Sequence, residues 1–412
     1  MLKLISGTTV AQAIPFLLMF VLTRYYSPAD FTVLENFMVF IEILVVTATF
    51  KYEFAIMQPK KNEDAVQLVY LVLLLSLSVS IFYTIIGYFF GDSLGTVISI
   101  PGFADFAPWI GTGVFLYSLH LAFNYWFSRN KKYGMLATTK VIETSTAESS
   151  KLGWAFFKIS NYGLIIGFLI GRLSMGLYYL INFLKSPIVK TNNPNRERIN
   201  ELAKEYDKYP RFTFWGSLLG RTTAWGHVFL FTIYFEPIVG FIALARRLLF
   251  APLNIISTSY SQVFYQRVSN IEDGVTLMKV YKNSLKPLLA ISFAVVAIVL
   301  VLPDGTIDFL LGNKWKGTQP YVEILVFWFV INFVSTSVSF INLHLGKQKQ
   351  MLYLDLIHAV LAFGSIFLGI GLGYNGIETL RLFTIAQALF YLGMIFTGWY
   401  FIKQRIKAQS VI

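Results

Sequence analysis

The chain has 412 residues, of which 56% are hydrophobic, 17% aromatic and 14% charged, and its formal net charge is +12. So few charges at a mean hydropathy of +0.61 exclude an ordinary soluble domain, in which roughly a quarter of the residues are charged. The absence of cysteine excludes disulfides, thiol catalysis and zinc–thiolate sites.

Runs of about 18 or more residues with few charges recur along the chain, and such runs read as membrane-spanning helices. A β-barrel would need polar and apolar residues to alternate, and stretches such as "LVYLVLLLSLSVSIFY" do not. The pattern predicts an all-α integral membrane protein with spans at 4–24, 31–52, 66–90, 107–127, 136–157, 161–184, 211–233, 238–260, 280–302, 319–342, 351–372 and 377–402. The first run has one basic residue, Lys3, and an apolar core too long for a signal peptide. No small-x-small cleavage pattern closes it, so it reads as a retained helix. It ends in "LTRYYSPADF", Leu22–Phe31, where Pro28 breaks the chain and Tyr25 and Tyr26 suit a membrane–water interface.

Several spans carry charge. Glu42 lies within the second, and Lys51 near its end is expected to snorkel. The fifth is the most polar. Lys140, Thr144, Glu148 and Lys151 fall on one face of a helix, among Thr138, Thr139, Ser145, Thr146, Ser149 and Ser150. Lys140–Glu143 and Glu148–Lys151 are i,i+3 pairs able to neutralise each other in part. That composition suits a water-filled cavity that meets hydrophilic cargo. In the sixth span Arg172 follows Gly163, Gly167 and Gly171, a four-residue spacing that reads as close helix packing with Arg172 in a buried pair. Arg221 in the seventh span and Arg247 in the eighth are each expected near mid-membrane, roughly 15 Å from a span end. A charge there costs roughly 2.5–3.5 kcal/mol, so it pairs with another or faces an aqueous cavity. Arginine in a low-dielectric site binds phosphate bidentately, which points to an anionic group in the cargo. Glu42, Glu143 and Glu148 form a candidate site for a coupling ion, proton or sodium. His120, His227, His344 and His358 are scattered, so no metal cluster is expected, and His358 is a candidate proton relay. No P-loop, GxSxG or nucleotide-binding unit is present.

Basic residues set the orientation. With the N-terminus in the cytoplasm, the inward segments hold Lys3, Lys60, Lys61, Arg129, Lys131, Lys132, the basic run from Lys185 to Arg211, Arg267, Lys279, Lys282, Lys347, Lys349, Lys403, Arg405 and Lys407. The outward loops hold Arg24, Lys158, Lys314 and Lys316. Both termini are therefore expected in the cytoplasm, and the net charge needs no nucleic-acid partner. Two short likenesses share one displacement, 209 residues: "YYSPADF" at Tyr25 with "YFEPIVG" at Tyr234, and "EDAV" at Glu63 with "EDGV" at Glu272. They predict two six-helix lobes of like orientation, 1–184 and 211–402, joined by a cytoplasmic linker, 185–210, with a cytoplasmic tail at 403–412.

Four stretches carry a family resemblance: Leu22–Phe31; "FKYEFAIMQPKKNEDA" at Phe50–Ala65; "YDKYPRFTFWGSLL" at Tyr206–Leu219; and "GFIALARRLLFAPLNIISTSYSQVFYQRVS" at Gly240–Ser269. In these the chain resembles the Wzx-type oligosaccharide flippases, the polysaccharide-biosynthesis branch of the multidrug/oligosaccharidyl-lipid/polysaccharide (MOP) superfamily. The resemblance implies two pseudo-symmetric six-helix bundles around a central cavity, in a bacterial or archaeal cytoplasmic membrane. It implies an undecaprenyl-pyrophosphate-type lipid-linked oligosaccharide as cargo, flipped from inner to outer leaflet for O-antigen, capsule or exopolysaccharide synthesis. Partners would be membrane lipids, a polysaccharide polymerase and a chain-length regulator. Related lipid II flippases carry a cavity arginine in an alanine-x-arginine-leucine motif, matched by Ala245-Arg246-Arg247-Leu248, and another at the end of helix one, matched by Arg24. Arg24, Arg221, Arg246 and Arg247 would then hold pyrophosphate, and Lys140, Thr144, Glu148 and Lys151 would meet sugars. Phe31-Thr32-Val33 departs from the family's usual phenylalanine-glycine start of helix two. Two rival readings are an ion-coupled multidrug exporter of the same fold, which predicts acidic cavity positions, and a membrane-embedded polymerase or glycosyltransferase. The latter would need a sizeable outer loop, and the longest here, 91–106 and 303–318, are short.

Overall fold

The structure is a computed structural model that describes residues 2–100, 102–157 and 162–410; Lys158 and the last two residues of the expected tail lie outside them. Among the described residues, twelve helices have twenty or more residues: α1 (Leu2–Tyr25), α2 (Pro28–Thr49), α3 (Asn62–Ile98), α4 (Phe103–Arg129), α5 (Tyr133–Phe157), α6 (Gly163–Leu184), α7 (Phe214–Phe235), α8 (Val239–Val268), α9 (Gly274–Val301), α10 (Gln319–Val338), α11 (Gln348–Gly371) and α12 (Gly376–Gln409). Each overlaps one expected span. Nine helical runs among the described residues are long and apolar enough to cross a membrane, α7 and α8 falling within one of them, and the protein is a multi-pass membrane protein.

Helix starts follow from local chemistry. Ser27 and Asp30 form a capping box at α2. The Asp30 carboxylate accepts from Ser27 N and Oγ, both at 2.7 Å, and Pro28 occupies the first turn. Asp30 is thus engaged by its own helix start. In the second copy of that motif Glu236–Ile238 is a 3-10 turn and α8 begins at Val239. "EDAV" opens α3, while in "EDGV" Asp273 caps α9 by accepting from Thr276 N at 2.7 Å and Val275 N at 3.3 Å. The Thr276 side chain, with these backbone donors, holds the Asp273 carboxyl below its ordinary range.

The chain divides into two compact units, Met1–Gly240 and Phe241–Ile412. The packing boundary falls one helix later than the expected linker, because α7 packs against α2 in the first unit. The 185–210 segment is itself ordered. Two short helices, Pro187–Thr191 and Arg196–Glu205, bury Val189, Ile199 and Leu202. Arg198 Nε meets Asp64 of α3 at 2.8 Å, Gln67 Nε2 donates to Asn193 O at 2.9 Å, and Gln67 Oε1 accepts from Asn195 N at 2.8 Å.

Within the first unit α5 packs against α1 and α6. The glycine row on α6 makes this approach possible, as its spacing suggested. A β-carbon at Gly167 would lie 2.9 Å from Lys151 N and 3.0 Å from Ala147 O; one at Gly171 would lie 2.8 Å from Glu143 O. Gly171→Val is therefore expected to force α5 off α6 and cost about 1–3 kcal/mol. The thermal midpoint of detergent-purified protein should fall. Gly176→Ala, whose nearest neighbour is Leu119 at 3.4 Å, should fall much less.

Candidate functional site: ionised side chains among the membrane helices

Arg221 and Glu42 are 179 residues apart in sequence and form an ion pair through Nη1 and Oε2, one from α7 and one from α2. Each lies seven residues from the same end of the pairing, Phe214 of α7 and Thr49 of α2, or about 10 Å along its helix. Tyr117 of α4 donates its hydroxyl to the same Glu42 oxygen at 3.2 Å. The Glu42 side chain is 10% exposed, but that of Arg221 is 34% exposed. The guanidinium is therefore anchored at the end of a side chain a third of which is open.

A second pair stands next to it. Arg172 of α6 places Nε 3.1 Å from Glu143 Oε1 of α5, in contact but off the line of a hydrogen bond. Its guanidinium also lies over the rings of Tyr117, at 4.5 Å, and Phe168, at 5.3 Å. Tyr117 thus touches both arginines, since Arg221 lies 6.0 Å from its centroid. Glu143 pairs across helices with Arg172, where the sequence suggested Lys140 within the same helix. The glycine row explains this: it brings the backbone of α5 against α6, and Arg172 follows the last glycine.

The third pair is local to α5. Lys151 Nζ donates to Glu148 Oε1 at 2.5 Å, and both side chains are less than 10% exposed. The Lys151 stem packs at Gly167, and its carbonyl accepts from Tyr26 Oη at 2.9 Å. Glu148 and Lys151 are therefore enclosed between α1 and α6, whereas Lys140 and Thr144 on the same face are half-buried. The Thr144 hydroxyl donates to its own helix, to Lys140 O at 2.8 Å. Arg24 is exposed on the last turn of α1, and Arg246 and Arg247 are half-buried on α8 in the second unit.

The sequence reading missed two features. Lys51 does not snorkel: it is 7% exposed and brings Nζ 2.7 Å from Glu53 Oε1, outside hydrogen-bond geometry. Phe50 and Lys51 both have left-handed backbone, φ 46° and 63°, which turns the chain from α2 into the 3-10 helix Tyr52–Met57. Lysine two residues before glutamate is the available signal. Tyr117 gave none, because it is one aromatic residue among many in α4. No group of three or more histidine, aspartate or glutamate side chains able to hold a metal occurs among the described residues.

Three pairs of opposite sign among the membrane helices, Arg221 being the most exposed of their six side chains, make a nearly neutral but strongly polar interior. A sequence profile described as polysaccharide biosynthesis protein matches residues 21–320. The chain belongs to that family. No curated protein sequence matches the chain. Among solved structures, this polysaccharide biosynthesis family member is similar to a multidrug resistance MATE family transporter of the MOP superfamily in an inward-facing conformation. Identity there is 14%, coverage 96% of each chain and TM-score 0.73. It is equally similar to lipid II flippase MurJ in an inward closed conformation, at 14% identity, 96% of this chain, 87% of that one and TM-score 0.73. An outward-facing MATE transporter gives TM-score 0.62 at 14% identity, over 100% of this chain and 96% of that one. The fold is that of the MOP transporters.

Proposed function

We propose that this family member is a flippase that moves an isoprenoid-pyrophosphate-linked oligosaccharide from the inner to the outer leaflet of the cytoplasmic membrane. The reading keeps twelve membrane crossings, with both termini cytoplasmic, and alternating access by rocking of two lobes. The observation that carries it is Arg221: a guanidinium within a membrane helix, anchored by Glu42, with a third of its side chain open. Such a group faces water or an anion, not lipid. A pyrophosphate supplies the bidentate acceptor that guanidinium geometry fits. Membership of a polysaccharide biosynthesis family supports a sugar-bearing cargo, and the motif Ala245–Leu248 supports Arg247 as a second phosphate ligand. The isoprenoid tail stays in lipid, so the protein shields only the head group.

Proteoliposomes holding a fluorescent isoprenoid-pyrophosphate oligosaccharide test this directly. Transbilayer movement that depends on the protein and is lost in Arg247→Ala is expected. Efflux of organic cations without lipid movement would instead establish the exporter reading, and turnover of a labelled sugar donor would establish an enzyme.

A further inference from the structure

The second unit contains a half-buried titratable group that the cargo reading does not use. His358 of α11 and Gln387 of α12 lie on antiparallel helices joined by the turn at 372–375. Counted from that turn they are about 20 Å and 17 Å along their helices, well inside the membrane. His358 Nε2 lies 2.8 Å from Gln387 Oε1. A carboxamide oxygen only accepts, so Nε2 carries the hydrogen and Nδ1 holds the free lone pair. The imidazole lies flat on Phe390, with centroids 4.1 Å apart and planes at 6°. Asp355, one helical turn before it on the same face, is exposed.

Each of these neighbours favours imidazolium over imidazole and works against the cost of taking its charge out of water. Gln387 accepts a hydrogen bond that strengthens with charge, Phe390 offers a ring face, and Asp355 offers a carboxylate. The elements packed on α11 are α12 and the short helix Phe340–His344. α12 puts Tyr391 edge-on to the imidazole at 5.6 Å; its cations Arg381 and Lys403 lie beyond Gln387 on either side along the helix. His344 is engaged elsewhere, with Nε2 3.1 Å from Ile271 O. One imidazole, one carboxamide and one carboxylate do not make the oxygen-rich shell a hard metal cation needs. Histidine does exchange a proton in the physiological range.

We propose that His358, Asp355 and Gln387 form a proton-binding site that couples proton uptake to the transport cycle. This rests on the transporter reading above. One proton from water adds to Nδ1 and later leaves from the same atom. The site is contiguous with the helix that carries the candidate phosphate ligands. Tyr391 neighbours Asn332 of α10, and Asn332 borders a small gap shared with Asn254 and Ser257 of α8, the helix of Arg246 and Arg247.

Two measurements on the full chain in lipid nanodiscs test the proposal without cargo. With histidine labelled in 15N, four side chains give signals, and His358 is assigned by its loss in His358→Gln. Its ring is expected to change protonation state across the titration, and Asp355→Asn to lower the midpoint. A ring that keeps one state throughout, or a midpoint that Asp355→Asn leaves unmoved, overturns the site. Hydrogen exchange of α8 and α10 should differ between pH 5.5 and pH 8 in the native chain and not in His358→Gln. The same difference in both overturns the coupling. If the chain moved no lipid-linked oligosaccharide, both readouts would stand unchanged, so failure of the cargo reading is seen separately.

Discussion

Replacing Arg221 with methionine is expected to cut cargo transport by about thirtyfold or more. That is the loss of roughly 2 kcal/mol or more seen when one member of a desolvated charge pair is truncated. Two causes would contribute, loss of the phosphate ligand and exposure of an unpaired Glu42 carboxylate. The double variant Glu42→Gln, Arg221→Met separates them. Removing both charges should restore protein level and thermal midpoint, because a neutral pair replaces a broken ionic one. Transport should stay low. The measurement is restoration of surface polysaccharide in a host lacking the chain, at matched protein level. Full recovery in the double variant would reduce Arg221 to a structural role.

Glu143→Leu is expected to give the largest loss of stability, about 3–5 kcal/mol, because it strands Arg172 among membrane helices. Arg172 and Glu143 side chains are 14% and 17% exposed, so solvent screens this pair less than Arg221 and Glu42. Tyr117 and Phe168 still hold the guanidinium by its faces and offset part of the cost. Glu143→Leu with Arg172→Met should recover most of the stability, read as the temperature at which detergent-purified protein leaves its monodisperse peak. A single variant as stable as the native chain would show that the two side chains do not depend on each other.

The helices were legible because apolar runs in lipid have few alternatives to helix. Their ends were less so. The second span was expected at 31–52 and runs from Pro28 to Thr49, since the Ser27–Asp30 capping box decides its start and left-handed Phe50 its end. The third was expected at 66–90 and runs from Asn62 to Ile98, because a helix continues into headgroup and water where hydropathy stops reporting it. The charged positions were legible one by one: Glu42, Arg172 and Arg221 were each read as charges within a membrane span. Their pairing was not, because Glu42 and Arg221 meet only through the packing of α2 on α7, and Glu143 chose Arg172 across a glycine-lined contact over Lys140 one turn away. Local spacing did find Glu148–Lys151, where both partners share one helix.

α12 has a mechanical consequence. At one end its start is locked by Asn375 and Glu378, whose side chains cap each other's backbone at 2.9–3.0 Å. At the other, Gln409 grips the turn before α9, accepting from Gly274 N at 2.8 Å and donating to Glu272 O at 2.9 Å. Between them it runs about 51 Å, and α9, α10 and α11 all rest on it. A strut firmly capped at one end, tied to its neighbour at the other and packed along its length resists shear. Force applied at one mouth of this unit therefore arrives at the other as rotation of the whole block, and a glycine pair set into the middle of α12 would turn that lever into a hinge.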